Sequence, residues 1–222
     1  MPRTARASVG GVCHHVINRG NAQAEVFHKD ASYQAFVNLL ADACERLPMR
    51  VLACCLMPNH FHLALWPRSD GGLSRWVQRL MTAQVRRYHR HCDSNGHVWQ
   101  GRFKGFPIQQ DGHLLTVLRY IEQNPVRAKL VPKAQDWPWS SLWWCRKRDR
   151  PAFLHAGPVD RGRRWLVDVN QPITGPQLEC LRRCARRGTS TGSDTWIRRM
   201  AARLGLESTL RPLGRPRKEP DK

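Results

Sequence analysis

The chain has 222 residues and a formal charge of +20, from 37 Lys and Arg against 17 Asp and Glu. Thirty of the cations are arginine, whose planar guanidinium suits phosphate oxygens, so the composition points to a polyanionic partner, most simply a nucleic acid. It argues against a membrane-spanning helix, because the apolar run at 51–57 stops at Pro58, well short of the ~20 residues a span requires.

Charge alone does not separate a nucleic-acid enzyme from a structural RNA-binding protein. The N-terminal Met1-Pro2-Arg3-Thr4-Ala5-Arg6 is basic and lacks a signal-peptide apolar core. The eight cysteines include no Cys-x-x-Cys pair. Cys54 and Cys55 read as small buried hydrophobes, and Cys180 and Cys184 share a helix face without a second pair to complete a zinc site. A reduced, cytoplasmic, nucleoid-associated protein is expected.

Val12 to Asn18 reads as a first strand, closed by Arg19-Gly20-Asn21, where Gly and Asn permit a tight exit. Asp30 is a candidate N-cap for a helix over 31–47, with Tyr33, Phe36, Val37, Leu40, Cys44 and Leu47 on its apolar face. Pro48 stops it. Strands over 50–56 and 60–66 follow, joined by Met57-Pro58-Asn59. Strand period turns Phe61, Leu63 and Leu65 to a core and His60 and His62 to the opposite face. Two imidazoles so placed either occupy a half-exposed strand or bind one cation from one side.

Ser74 is a candidate cap for a helix over about 75–91, with Val77, Met81, Val85 and Tyr88 as its apolar stripe. Arg75, Arg79, Arg86 and Arg90 form a basic stripe, which either solvates that face or tracks a phosphate backbone. After the Asn95-Gly96 turn, Val98 to Ile108 is extended, with Arg102 and Lys104 on one side and Phe103 on the other. Gly101, Gly105 and Pro107 mark it as irregular or at a sheet edge. Asp111 can cap a helix over 112–123 with a core stripe of Leu114, Val117, Leu118 and Ile121. Tyr120 lies about 100° around from Ile121, off that stripe. Pro125 ends or restarts the helix, and Asn124 before it is a candidate N-cap. The order strand, helix, strand, strand, helix, strand predicts an α+β, ferredoxin-like (split βαβ) antiparallel sheet with helices on one face.

After Trp144 the composition shifts: residues 145–222 hold 19 Lys and Arg against 8 Asp and Glu. An irregular connection over 149–175 leads to a helix over 176–187 and a second one capped by Asp194, with Trp196, Ile197, Met200 and Leu204 recurring helically. We expect a domain over 1–145, a helical basic extension over 146–210 and a basic flexible tail over 211–222. In the tail, Arg215 and Arg217 flank Pro216 in a Gly-Arg-Pro arm resembling an AT-hook, a minor-groove tether.

Five motifs carry a family resemblance: His15-Val16-Ile17-Asn18-Arg19-Gly20-Asn21, Leu56-Met57-Pro58-Asn59-His60-Phe61-His62-Leu63, Trp99-Gln100-Gly101-Arg102-Phe103, Tyr120-Ile121-Glu122-Gln123-Asn124-Pro125-Val126-Arg127-Ala128, and Trp137-Pro138-Trp139-Ser140-Ser141. In this order, over about residues 10–145, they resemble the REP-associated tyrosine transposases, relatives of the single-tyrosine HUH insertion-sequence transposases. The resemblance implies a metal-dependent single-stranded-DNA endonuclease and strand transferase, acting at REP-type hairpins through a 5′-phosphotyrosine. It implies His60, His62 and Asn124 as ligands of Mg²⁺ or Mn²⁺ and Tyr120 as nucleophile. Asn124 stands where the superfamily often has Gln.

Arg19, Asn21, Arg75, Arg79, Arg86, Arg102, Lys104, Arg127, Arg215 and Arg217 are the candidate DNA contacts, each with a duller reading as loop closure, solvated surface or ion pairing. For Arg127 that duller reading is a pair with Glu122. Trp137 and Trp139 are expected to pack a turn. The expected partner is hairpin or single-stranded DNA, with no membrane, and the protein a monomer or homodimer. The rival of another class is a domesticated, non-catalytic protein that binds hairpin repeats, and the presence of His60, His62 and Tyr120 argues against it.

Overall fold

The computed structural model describes residues 8–148 and 150–210. Strands β1 (Cys13–Arg19), β2 (Met49–Met57), β3 (His60–Pro67) and β4 (Lys104–Ile108) form one antiparallel sheet in the order β2-β3-β1-β4. Helix α1 (Asp30–Arg46) links β1 to β2, and α2 (Gly72–Cys92) links β3 to β4. This is the expected ferredoxin-like arrangement, with the irregular segment before β4 and β4 itself at a sheet edge. The β2–β3 hairpin closes over Pro58 and Asn59 alone.

The alternation along β3 decides the layers. Phe61, Leu63 and Leu65 are fully buried against Val16, Val51, Cys54 and Leu56 of the sheet and against Phe36 and Leu40 of α1 and Trp76, Val77 and Leu80 of α2. Truncating such a side chain as Phe61 to alanine removes about 3–5 kcal/mol. The opposite face is not open. Helix α3 (Gly112–Glu122) packs Leu114, Val117, Leu118 and Ile121 onto Leu52, Ala53, Cys55, Met57 and Ala64. One helical layer was expected; α1 and α2 form it, and α3 builds a second. An amphipathic stripe says that a helix face is buried, not which side of the sheet buries it.

Local corrections concern helix starts and stripes. Asp30 is the first residue of α1 and Lys29 occupies the cap position, with its N–H donating to Ser32 Oγ at 3.2 Å. Helix α2 starts at Gly72, ahead of Ser74, because Gly71 turns the chain at φ 72°. Its buried stripe is Leu73, Trp76, Val77, Leu80 and Gln84, with Met81, Val85 and Tyr88 on its half-buried flank. Asp111 caps α3 as expected, accepting from the His113 N–H at 2.8 Å. The short α4 (Asn124–Arg127) follows directly with Gln123 at its cap, so Asn124 is not an N-cap.

The remaining helices are α5 (Ser141–Trp144), α6 (Trp165–Asn170), α7 (Gly175–Arg187) and α8 (Asp194–Leu204). Helix α6 lies within the stretch expected to be irregular. Ser193, not Asp194, caps α8, its Oγ accepting from the Trp196 N–H at 3.4 Å. Both sheet edges are covered. Ser140 bridges to Cys55 of β2, and Thr191 bridges to Ile108 of β4, closing edges that would otherwise offer unpaired backbone groups. Ile173 and Leu181 complete the core under α3, so the C-terminal residues share the packing of the sheet. Trp137 and Trp139 pack against Tyr33 at ring-centroid distances of 6.1 and 5.0 Å, and Trp137 Nε1 donates to Leu56 O at 2.8 Å. Among the described residues no helix is long and apolar enough to cross a membrane.

Candidate active site

The site lies between β3, β1 and α3, at the end of the sheet where the β2–β3 hairpin turns. His60 and His62 project from β3 toward α3, with ring centroids 5.0 Å apart and planes nearly perpendicular. β1 runs antiparallel beside β3, with Ile17 opposite His62 and Arg19 opposite His60. The period of two therefore turns His15, Ile17 and Arg19 to the same face as the histidine pair. His15 fills the gap this leaves: its Nε2 lies 2.9 Å from His62 Nδ1, and the two rings stack at 5.1 Å.

Tyr120, on the last full turn of α3, sets its ring edge-to-face against both, 5.7 Å from His62 and 5.9 Å from His15. It is 7% exposed, more buried than its place off the apolar stripe suggests, because the histidine cluster covers that flank. Arg127 comes round from α4. Its guanidinium carbon stands 4.1 Å over the Tyr120 ring and its Nη1 donates to Tyr120 O at 3.4 Å. Arg127 does not pair with Glu122, whose carboxylate is met by Arg161 Nη1 at 3.2 Å.

All three imidazoles of the cluster are held neutral. Burial, with the cations Arg19 and Arg127 adding to it, lowers His60 to about 4. Burial lowers His15 to about 3 and, with His60 and His15 alongside, takes His62 well below the usual histidine range. A neutral imidazole is the form that offers a lone pair to a cation. Asn124, one turn after Tyr120, is buried with its Nδ2 unpartnered. That NH2 group is a hydrogen-bond donor with no lone pair to offer, so a cation would take Asn124 through Oδ1. Among the described residues no cluster of three or more His, Cys, Asp and Glu side chains is arranged to hold a metal. The neutral imidazoles of His60 and His62, side by side on β3, are of the chemistry that a cation accepts.

The cationic candidates divide. Arg19 and Arg127 stand at the cluster, and Asn21 sits in the exposed 3-10 turn Asn21–Gln23 that follows Arg19. Arg102 and Lys104 are exposed at the β4 edge. Arg75, Arg79 and Arg86 lie on α2, on the other side of the sheet from Tyr120, and Arg79 pairs with Asp42 at 3.3 Å. Arg215 and Arg217 lie outside the described residues. His15 was missed as a site residue. Its signal was the strand period counted back from Arg19, which becomes legible only once β1 is known to lie beside β3.

Glu122 was missed as well. It is fully buried beside Tyr120 and accepts from Ser141 Oγ at 2.8 Å and Trp165 Nε1 at 2.8 Å, as well as from Arg161. Gln123 donates to Val169 O at 3.0 Å and Gln171 O at 2.7 Å, and Arg119 donates to Gln171 O at 3.2 Å. The end of α3 that carries Tyr120 is thus tied to residues 161–171.

Comparison with known proteins bears on the family and the fold. Residues 8–124 match the family model described as "Transposase IS200 like". A Haemophilus influenzae protein named as a REP-associated tyrosine transposase is 30% identical over 117 residues, covering 48% of this chain and 66% of that protein, just under two thirds of its length. The REP-associated tyrosine transposase of Escherichia coli is 24% identical over 172 residues, covering 76% of this chain and 93% of that one. A solved structure of a REP-associated tyrosine transposase bound to a REP hairpin shares the fold. Its TM-score is 0.55 at 21% identity, over 79% of this chain and all of that one.

Proposed function

Since the chain belongs to the IS200-like transposase family, we propose that it cleaves and rejoins single-stranded DNA at hairpin, REP-type sequences, through a covalent 5′-phosphotyrosine on Tyr120. The observation that carries this reading is the placement of Tyr120 edge-on to His62 at 5.7 Å within one chain, under the Arg127 guanidinium. A purely structural tyrosine has no need of two neutral imidazoles and a guanidinium around it.

In the proposed step Tyr120 Oη attacks the scissile phosphorus. The new Oη–P bond forms as the P–O3′ bond breaks, and the phenol's proton is balanced by the one the departing 3′-oxygen takes up. The phosphodiester's energy is kept in the phosphotyrosine, so another 3′-hydroxyl can reverse the step and join strands without ATP. Arg127 sets a positive charge beside the ring where the phosphate approaches, and Arg19 adds a second at the His60 end. His60, His62 and Asn124 are the residues that would hold a divalent cation, Mg²⁺ or Mn²⁺, whose chemistry is to polarise the phosphate and offset its developing charge. Hairpin DNA as substrate rests on the family, on the names of the relatives and on the +20 charge.

The test is a denaturing gel of the protein with labelled hairpin DNA from its own genomic flanks, run with Mn²⁺, with EDTA, and with Tyr120→Phe. A covalent band that needs both metal and Tyr120 supports the reading. Tight binding with no band for any hairpin moves it to a non-catalytic repeat-binding protein.

A further inference from the structure

Both histidines of the pair have their Nδ1 atoms engaged and so turn the same nitrogen, Nε2, outward. His60 Nδ1 lies 2.6 Å from Asn59 Oδ1. The orientation of that amide is fixed from its other end, because Asn59 Nδ2 donates to Gln23 O at 3.1 Å. An oxygen facing the ring needs a donor, so His60 carries its proton on Nδ1. Asn59 is itself clamped. Its carbonyl accepts the Gly20 N–H at 2.7 Å, and Pro58 O accepts Val26 N–H at 2.8 Å and Phe27 N–H at 3.0 Å. Gly20 is required there, since a Cβ on it would come within 2.2 Å of Ala24 O.

His62 meets the same arrangement with a different partner. Its Nδ1 lies against His15 Nε2, and His15 is held from its other sides by the rings of Phe106 and Tyr120. If His62 accepted this bond, its proton would sit on Nε2 and no lone pair would face the site. If it donates, Nε2 is free, as for His60.

We propose that Asn59 and His15 are positioning residues that lock His60 and His62 in the Nδ1–H tautomer, so that both Nε2 lone pairs are presented to one divalent cation. This rests on the metal reading above, and extends it to two residues outside the proposed ligand set. A ligating histidine that holds its other nitrogen in a fixed hydrogen bond binds more tightly, and losing that partner costs about 10- to 100-fold in metal affinity. The partners here are uncharged, an amide and a neutral imidazole, so they set orientation without adding negative charge to the site.

Two readouts test it. In ¹⁵N-labelled metal-free protein, long-range ¹H–¹⁵N spectra report the tautomer of each ring, and both His60 and His62 are expected as Nδ1–H. An Nε2–H form of either overturns the proposal. Mn²⁺ affinity, measured by EPR titration without DNA, is expected to fall about 10- to 100-fold in His15→Leu and Asn59→Leu and to recover most of the way in His15→Gln, which restores an uncharged acceptor. Rescue by an acceptor separates positioning from packing, which Leu and Gln satisfy about equally. If wild-type protein binds Mn²⁺ and the leucine variants bind it as well, the positioning roles are wrong and the metal reading stands. If the wild type binds no Mn²⁺, the metal reading falls and this proposal with it.

Discussion

Arg161→Met probes the bond that ties the candidate nucleophile's helix to the C-terminal residues. In the native protein the Glu122 carboxylate is fully buried and accepts from three donors, of which only Arg161 is charged. Methionine has a similar length and packs against Trp165, so the substitution removes the charge while leaving little void. It strands a buried carboxylate with two neutral donors, and breaking a buried pair from one side costs about 3–5 kcal/mol. It also takes the guanidinium donor from Leu52 O, worth about 1 kcal/mol more. Against a total stability of about 5–15 kcal/mol, the variant should fold but unfold at markedly lower urea, read by circular dichroism at pH 7 and 25 °C. The control is Glu122→Gln, which removes the charge from the other side. In the double variant the arginine is lost beside a neutral amide, and the coupling in the cycle should be about 2–3 kcal/mol. A loss below about 1 kcal/mol for Arg161→Met, or two effects that simply add, would show that Glu122 finds its counter-charge or water elsewhere.

Four further outcomes are expected. Tyr120→Phe should abolish the covalent DNA band and leave hairpin affinity within about twofold, checked by gel shift; loss of binding instead would make Tyr120 a DNA contact. Mixing Tyr120→Phe with His60→Ala protein should restore no cleavage, because Tyr120 and the histidine pair sit together in one chain; restored activity would mean that sites are completed between protomers. Deleting 206–222 should weaken hairpin binding and lower its salt dependence by a slope of about one per lost phosphate contact. His14 is buried on the α1–α2 face with its Nε2 unpartnered, and burial lowers it to about 4 from 6.5. As pH falls from 6.5 toward 4 the unfolded chain takes the proton first, so stability should drop by up to about 1.4 kcal/mol per pH unit for this group. His14→Phe should flatten that slope in urea melts of metal-free protein, and an unchanged slope would place the titration in the cluster of His15, His60 and His62 on the other face.

What could be read from the sequence was what is local. The alternation in His60 to Leu65 fixed which residues of β3 face the first core, and Asp111 announced the start of α3 by the side chain that caps it. The split βαβ order followed from the sequence of strand and helix periods. Helix starts were read poorly at Asp30, Ser74 and Asp194, where the cap is decided by a residue or two of backbone conformation, as the left-handed Gly71 shows. Each of those stretches offered more than one polar residue able to cap, and nothing in the periodicity ranks them.

The rest was hidden because it is non-local. His15 looks like one of two adjacent histidines in an apolar strand until the sheet order puts β1 beside β3, 47 residues on, and turns its ring onto His62. Glu122 looks like an exposed carboxylate on a helix end until residues 141, 161 and 165 arrive with their donors. Both residues do their work through neighbours far along the chain, and both bear on Tyr120. His15 sets the ring against which the tyrosine rests, and Glu122 anchors the turn that carries it. If the phenol is to meet a phosphate held at the histidine pair, its helix must be fixed relative to the sheet from both ends. Asp111 fixes the start of α3 locally, whereas its end is fixed by contacts from beyond residue 140. The C-terminal residues thus hold the end of α3 that carries Tyr120, as well as supplying positive charge.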